Sequence, residues 1–591
     1  MADEQPVYRP REMYERQLKA QYHQAADQFF ESLTQEAGTD KGANAVHVKA
    51  YKAAQAATEE ARKKVNKAKT AKGWTIFGII IGFILLIIPG ILMLIFYKNK
   101  IKTALANAEN ELTKKLEDEK KALDVCHADM ATLNDLFDDS MPCKVMEKAT
   151  PIIDLDPTFT PERLAYMMSS FGMKEETDPD TSVLGVLSGH IQGNPFVLEK
   201  VFRHEVQDKT YEGELVITWT TTHTDSNGHT YTETHTETLH AESVHPAPSY
   251  WDETRLIYGS EVAPHLHFSR RPSGMSGKSE KEMEKFVKSR VKELDKLEEK
   301  AIKKGGKFTK LGNDEFEAFF GADDRDHEVE YRLMFTALAQ RNMLDLIKNP
   351  QPFGDDFIMV KDGMLTSVCS RHSQNFDYYA TGESFVGYDV TEMKSRFVSY
   401  CDKFVEGVFF DLAPILSVPL YQIHKPRDFI YEGYRANLSS FEHEVLINKM
   451  DKRLFTPKDA DESLPLLLKE MTAKKIGGSD EVTVKVRSYK TTPMVDYVPV
   501  LGGDGRTHSV PVHWIQYDEV STCRNVGLFD SKQSRPAFQH ASLKPLEKYL
   551  SENFHFERGL LSYYLGEKGH INEADDQAFT TFFKTRNDAK K

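Results

Sequence analysis

Residues 74–97 read WTIFGIIIGFILLIIPGILMLIFY, with no aspartate, glutamate, lysine or arginine among them. No other stretch constrains the chain as strongly. About 20 apolar residues span a bilayer core as a helix, so the run is long enough for one crossing. Trp74 and Tyr97 stand at its ends, where amphipathic rings favour a headgroup layer, and lysines flank both sides. Trp74, Pro89, Gly90 and Tyr97 are therefore the expected membrane-anchor residues. Pro89-Gly90 kinks a single-pass helix or turns a shallow hairpin, and of these a single pass in the cell membrane is the expectation. Arg62, Lys63, Lys64, Lys67, Lys69 and Lys72 precede the run, and Lys98, Lys100, Lys102, Lys114 and Lys115 follow it. Basic residues so evenly shared give the positive-inside rule nothing to act on. The scattered cysteines favour a cytoplasmic large C-terminal region, whereas the six upstream basic residues favour a cytoplasmic N-terminus, and under a single pass the two conflict.

Composition narrows the partners. The formal charge of −14 argues against a nucleic-acid ligand, which would call for a basic face. Cys126, Cys143, Cys369, Cys401 and Cys523 lack any CxxC spacing, so neither a disulfide framework nor a cysteine-rich zinc module is expected. A length of 591 residues suggests several folding units.

The expected fold is α+β: helical, coiled-coil-like segments flanking one membrane helix, then a mixed α/β region with long β-hairpins. Residues 1–73 form a helical N-terminal region, 74–97 the membrane segment and 98–145 a helical stalk. A β-rich domain (146–275), a charged helix (276–307) and an α/β domain (308–425) follow. A helical stretch (426–475) and a β-hairpin domain with C-terminal helices (476–591) complete the chain.

Val48, Tyr51, Ala54, Ala57, Ala61, Val65 and Ala68 recur at spacings of three and four. The stripe resumes at Ile101, Leu105, Ala108 and Leu112, then shifts register. It fits a coiled coil that self-associates or holds a protein partner, and equally a helix packed on its own chain. TPERLAYMMSSFGM (160–173) carries a Thr-Pro helix start. SSFEHEVLINKMDKRLF (439–455) and SLPLLLKEMTAKK (463–475) are expected helices. EVTVKVRSYKTTPMVDYVPVLGGDGRTHSVPVHWIQYDEV (481–520) is a long hairpin turning at Asp504-Gly505.

The motifs GNPFVLEKVF, NDEFEAFFGADD, EYRLMFTALAQRNMLDLI and FIMVKDGMLTSV, over about 183–370, resemble an uncharacterised family of bacterial membrane-anchored proteins, catalogued only as a domain of unknown function. The resemblance implies a bacterial, membrane-anchored α+β domain and supplies no catalytic residues.

Candidate chemistry is sparse. His265 and His267, alternating on an extended run, are the best two-residue metal pair. Glu442-His443-Glu444 lies on a helix, where consecutive side chains diverge, so a surface cluster is expected. Cys369 and Cys401 have His372 and Asp402 nearby in sequence. TWTTTHTDSNGHTYTETHTETLH (218–240) carries four histidines. With a two-residue turn at Asn227-Gly228, Thr220 pairs with His235 and His223 points away from His229 and His235. Only an odd-length turn changes that parity. No catalytic residues and no cofactor are assigned, and whether any metal binds is left open. The leading expectation is a membrane-anchored binding or scaffolding protein, its partners a lipid bilayer and a protein or second copy held by the helical stalks. The alternative is a membrane-bound hydrolase whose site is assembled from distant His, Asp and Glu residues.

Overall fold

The computed structural model describes residues 7, 9–85, 91, 94–174, 178–225, 229–305, 308–374, 376–378, 382–425, 438–476, 479–530, 554–557 and 560–571. The chain divides into two compact units: Met1–Lys19 with Met146–Tyr379 and Phe404–Lys591, and Ala20–Val145 with Ala380–Lys403. The architecture is α+β with two antiparallel sheets.

The second unit is helical, and it corrects the membrane reading. Helices Lys41–Leu85 and Lys102–Asn134 pack side by side and antiparallel. Lys64 pairs with Glu111 at 2.9 Å, Thr58 donates to the Lys115 carbonyl, and His47 meets Asp129 at 2.8 Å. The polar segments before and after the apolar run thus lie together, which a single-pass protein cannot arrange. Among the described residues no helix is long and apolar enough to cross a membrane. The expected transmembrane helix and single-pass cell-membrane localisation are therefore withdrawn. Of the expected anchor residues, Trp74 is an exposed residue of the long helix and Tyr97 opens a π-helical turn. Pro89 and Gly90 lie outside the described residues. The apolar stripe is met by the chain itself: Val48, Tyr51 and Cys126 are buried together against Ala122, Leu123 and Tyr388.

The first unit holds both sheets. One runs β1 (Ile153–Asp156), β2 (Thr181–Ile191), β3 (Asn194–Thr224), β4 (Thr230–Gly259), then β7 (Leu365–Ser370), β6 (Phe357–Asp362) and β5 (His267–Arg270). The other is ordered β11 (Phe554–Glu557), β12 (Leu560–Gly566), β10 (Thr507–Asp530), β9 (Ser479–Leu501) and β8 (Leu467–Ile476). Residues 467–476, expected as helix, are strand. A short apolar run such as LPLLL suits either state, and here its neighbour β9 decides.

Helix Ser440–Lys449 is packed by both sheets. Phe441 and Val445 join Val183, Val186, Val197 and Val201, while Leu446 and Ile447 join Val482, Val484 and Val526. A helix covered on two sides leaves no face for charges. Glu442, His443 and Glu444 are all buried, not the expected surface cluster.

β3 and β4 continue far beyond this body, as do β9 and β10, and the two hairpins stack into a two-layered arm. Ile217, Leu239 and Ala241 meet Val510 and Val512 between the layers. At Gly213 the layers come so close that a Cβ would fall 2.2 Å from the Pro511 carbonyl oxygen. Asp504 and Gly505 form the β9–β10 turn, Gly505 at φ +77.

Candidate functional site

The first unit contains a cavity of about 610 Å³, within the range of small-molecule sites. Three local events build it. β2 bulges between Val183 and Gly185, leaving Leu184 without a partner across from β3; a bulge re-aims a side chain, and Leu184 lines the cavity. Next, helix Ser440–Lys449 ends at Met450, whose extended backbone stops the helical ladder. Asp451 then caps the 3-10 turn Lys452–Leu454 and grips the Arg453 guanidinium at 3.0 Å. Finally, the connection to β8 brings Glu462, Leu464, Pro465 and Leu466 across the opening. Phe202, stacked on Tyr250 at 5.4 Å, closes the β3 side.

Four charged side chains line the cavity, Lys452 and Arg453 with Asp252 and Glu462. Arg453 is held by Asp451, and Asp252 by Lys200 at 3.3 Å. Lys452 has no ion pair among the described residues. Its ammonium donates to Asn448 Oδ1 at 2.7 Å, and Asn448 donates in turn to Ser182 Oγ at 2.7 Å and the Val183 carbonyl at 3.1 Å. Crowding by the cavity walls pulls Lys452 down to about 8. The residue itself is exposed at the mouth.

The residues singled out from sequence are dispersed. His265 and His267 do not share a ligand. His265 Nδ1 meets Glu330 Oε1 at 2.7 Å and its backbone N–H donates to Oε2; His267 Nδ1 and N–H both meet Asp326 at 2.8 Å. Ser269 repeats the pattern on Asp324. β5 is a sheet edge, and carboxylates at alternate positions take the N–H groups that another strand would otherwise seek. Burial opposes ionisation of Asp326 and Glu330, but the bonds from His267 and His265 outweigh it and hold both low.

The Glu442-His443-Glu444 trio diverges, as three consecutive helical positions must. Glu442 closes a capping box with Ser439, and Glu444 accepts from the Val183 and Glu470 N–H groups. His443 Nδ1 meets Glu470 Oε2 at 2.8 Å, with Asp480 at 3.7 Å from Nε2. Burial works against the charged imidazole, yet these carboxylates raise it to about 9. Asp480 acts at that range through charge rather than a hydrogen bond.

Cys369 is pushed up to about 12, by burial first and then by Glu253, which disfavours a thiolate. Its sequence neighbour His372 lies instead between Asp356, at 2.7 Å, and Asp411, at 3.4 Å, with all three side chains no more than 4% exposed. Cys401 is buried, and Asp402 pairs with His23 at 2.9 Å.

A serine, histidine and aspartate do meet in the arm, but not as a relay. His245 Nε2 lies 2.8 Å from Ser243 Oγ and 2.7 Å from Asp496 Oδ2. A nucleophilic triad needs the acid on Nδ1 and the hydroxyl on Nε2. Here one nitrogen faces both, and Ser243 donates to the aspartate itself at 2.6 Å. Trp514 stacks on His245 at 3.5 Å and donates to Asp496 at 2.9 Å, so the group pins the two hairpins together.

Sequence reasoning missed Leu184, Asn448 and Lys452. A bulge leaves no periodicity signal, and an Asp-Lys-Arg triplet after a helix looks like a solvated end.

Among the described residues no group of three or more His, Cys, Asp or Glu side chains could hold a metal ion. The chain matches no protein-family model, no curated protein and no solved structure.

Proposed function

We propose that this chain is a binding protein, and that the cavity beside Leu184 takes a mostly apolar small molecule carrying one acidic group. The observation that supports this reading is Lys452, a cation without an ion pair among the described residues, at the mouth of a largely apolar cavity. Asp252 is taken by Lys200, and Glu462, the other carboxylate of the lining, makes no ion pair with Lys452. An anion bound there would both neutralise the ammonium and restore its proton affinity. The apolar walls contributed by Leu184, Phe202, Leu464 and Leu466 would cover the rest of the ligand.

Titration calorimetry of the full chain with decanoate, decanol and decylamine tests the reading. Decanoate is expected to bind best, and more weakly at alkaline pH, where Lys452, its pKa lowered by the cavity walls, loses its proton. Lys452→Met is expected to remove the preference for decanoate over decanol, and Leu184→Arg to remove binding of both. No heat from any of the three, or an unchanged preference in Lys452→Met, would overturn it.

A further inference from the structure

The helical hairpin of the second unit carries a feature independent of the cavity. The whole chain has a formal charge of −14, yet between Glu60 and Glu109 it contains no acidic residue. That interval holds six basic residues from Arg62 to Lys72 and three more at Lys98, Lys100 and Lys102. Because helices Lys41–Leu85 and Lys102–Asn134 run antiparallel, with Lys64 beside Glu111, both basic groups lie at the same end of the hairpin. The first helix also packs against the turn Tyr97–Ile101. Counting outward from the Lys64–Glu111 pair, Ile101 falls near Trp74 and Tyr97 near Gly78.

Beyond this basic collar the side chains are apolar and uncovered. Trp74 is 70% exposed, Phe77 55% and Ile80 53%, with Ile76 and Ile81 exposed beside them. On the returning leg Ile91, Leu94, Ile95 and Phe96 are exposed as well. At 3.6 residues per turn, the five exposed positions of the first leg spread over roughly 160° of its surface. The half-buried Thr75, Gly78 and Ile79 fall on the other side. A second copy lying alongside would set like charges together and would cover only one side of such a rod. A fluid apolar medium covers all of it.

We infer that this end of the hairpin dips into one leaflet of an anionic phospholipid surface, entering and leaving on the same side without crossing. From Trp74 to Leu85 the helix rises about 17 Å, roughly half of a hydrocarbon core about 30 Å thick. That depth is a single leaflet, in keeping with the absence of a crossing helix among the described residues. Trp74 and Tyr97 then sit in the headgroup layer, and the lysines of both legs reach negative headgroups from one side. An even sharing of basic residues gives a crossing helix no direction. For a re-entering hairpin it is the expected pattern, since both flanks stay in the same compartment.

The test uses the full chain with vesicles of phosphatidylcholine, alone or mixed with phosphatidylglycerol. The protein is expected to float with the mixed vesicles on a sucrose gradient, and partly so at high salt, because the apolar contribution is not screened. Lys98→Ala/Lys100→Ala should lower partition onto mixed vesicles by about thirtyfold, roughly fivefold per charge, and leave the weak partition onto plain phosphatidylcholine unchanged. Phe77→Glu/Ile80→Glu should abolish flotation with both. All four positions are exposed, so circular dichroism is expected to match the wild type. Sidedness is read in a Cys523→Ser background, with Lys72→Cys and Lys102→Cys introduced singly. Both are expected to react with a membrane-impermeant maleimide added outside the bound vesicles. Protection of either would mean that the segment crosses, and would overturn the inference. So would undiminished flotation of Phe77→Glu/Ile80→Glu, or a wild-type chain that self-associates in buffer and leaves mixed vesicles unbound.

Discussion

β3 and β4 run through two environments, and one hairpin behaves as two materials. Near the body, Val197, Leu198, Val201 and Leu256 are buried, and the buried Glu199 is gripped by Arg255. Along the arm, only the face toward β9 and β10 is covered, and the other presents threonines to solvent. In the body, a slip of one residue would expose a valine core and bury charge, so packing dictates register. In the arm both faces tolerate polar groups, and register falls to the length of the turn and a few cross-layer pins such as His245–Asp496–Trp514. The lesson is that a strand's register is only as secure as the difference between its two faces.

Substitutions can break this contrast from either side. The largest effect is expected in the body, at Arg270 and Asp355, a buried ion pair with neither side chain exposed. Asp355→Ala strands the guanidinium and should cost about 3–5 kcal/mol in global stability, read by denaturant unfolding. His443 comes next. Its folded pKa of about 9 lies above the ordinary histidine value, so the stabilisation is complete below about pH 6.5 and is lost as pH rises through 9. Its full size is on the order of 3 kcal/mol. His443→Gln should flatten the stability profile over that interval, and a profile unchanged by the substitution would refute the assignment.

Within the arm, Gly213→Ala drives a methyl against the Pro511 carbonyl. A local loss of about 1–3 kcal/mol is expected, seen as faster amide exchange in 207–245 and 490–515 while body amides keep their protection. Loss of protection throughout would mean that arm and body unfold together. Smallest of all, Thr234→Ala on the outward face should change stability by about 0.2–1 kcal/mol, the worth of one cross-strand pair.

Much of this was legible in the sequence where one rule acts alone. Thr160 and Pro161 open a helix and Gly172 ends it, at φ +77, as their types demand. The 481–520 stretch folds as a hairpin about Asp504-Gly505 because alternation and turn chemistry agree. Reading failed where a local pattern was overruled from a distance. The apolar run 74–97 has the composition of a crossing, but nothing in it reveals that the polar helices on either side pack together. Glu442, His443 and Glu444 look solvated until both sheets are placed against their helix. The cavity depends on one unpaired residue, Leu184, and the pairing of Thr220 with Thr234, not with the expected His235, on one residue of turn length at Asn227 and Gly228, which lie outside the described residues. Neither leaves a trace in periodicity.

The register of the β3–β4 arm, with Thr220 opposite Thr234, sets which side chains share the threonine face, and cross-linking tests it directly. In a Cys523→Ser background, Thr220→Cys/Thr234→Cys and Thr220→Cys/His235→Cys are oxidised with diamide and probed with a maleimide. Directly opposed positions can close a disulfide, whereas positions one residue out of register point to opposite faces. The account predicts that both introduced thiols of the 220/234 pair become protected from labelling and those of the 220/235 pair stay reactive; protection of the 220/235 pair instead would contradict it.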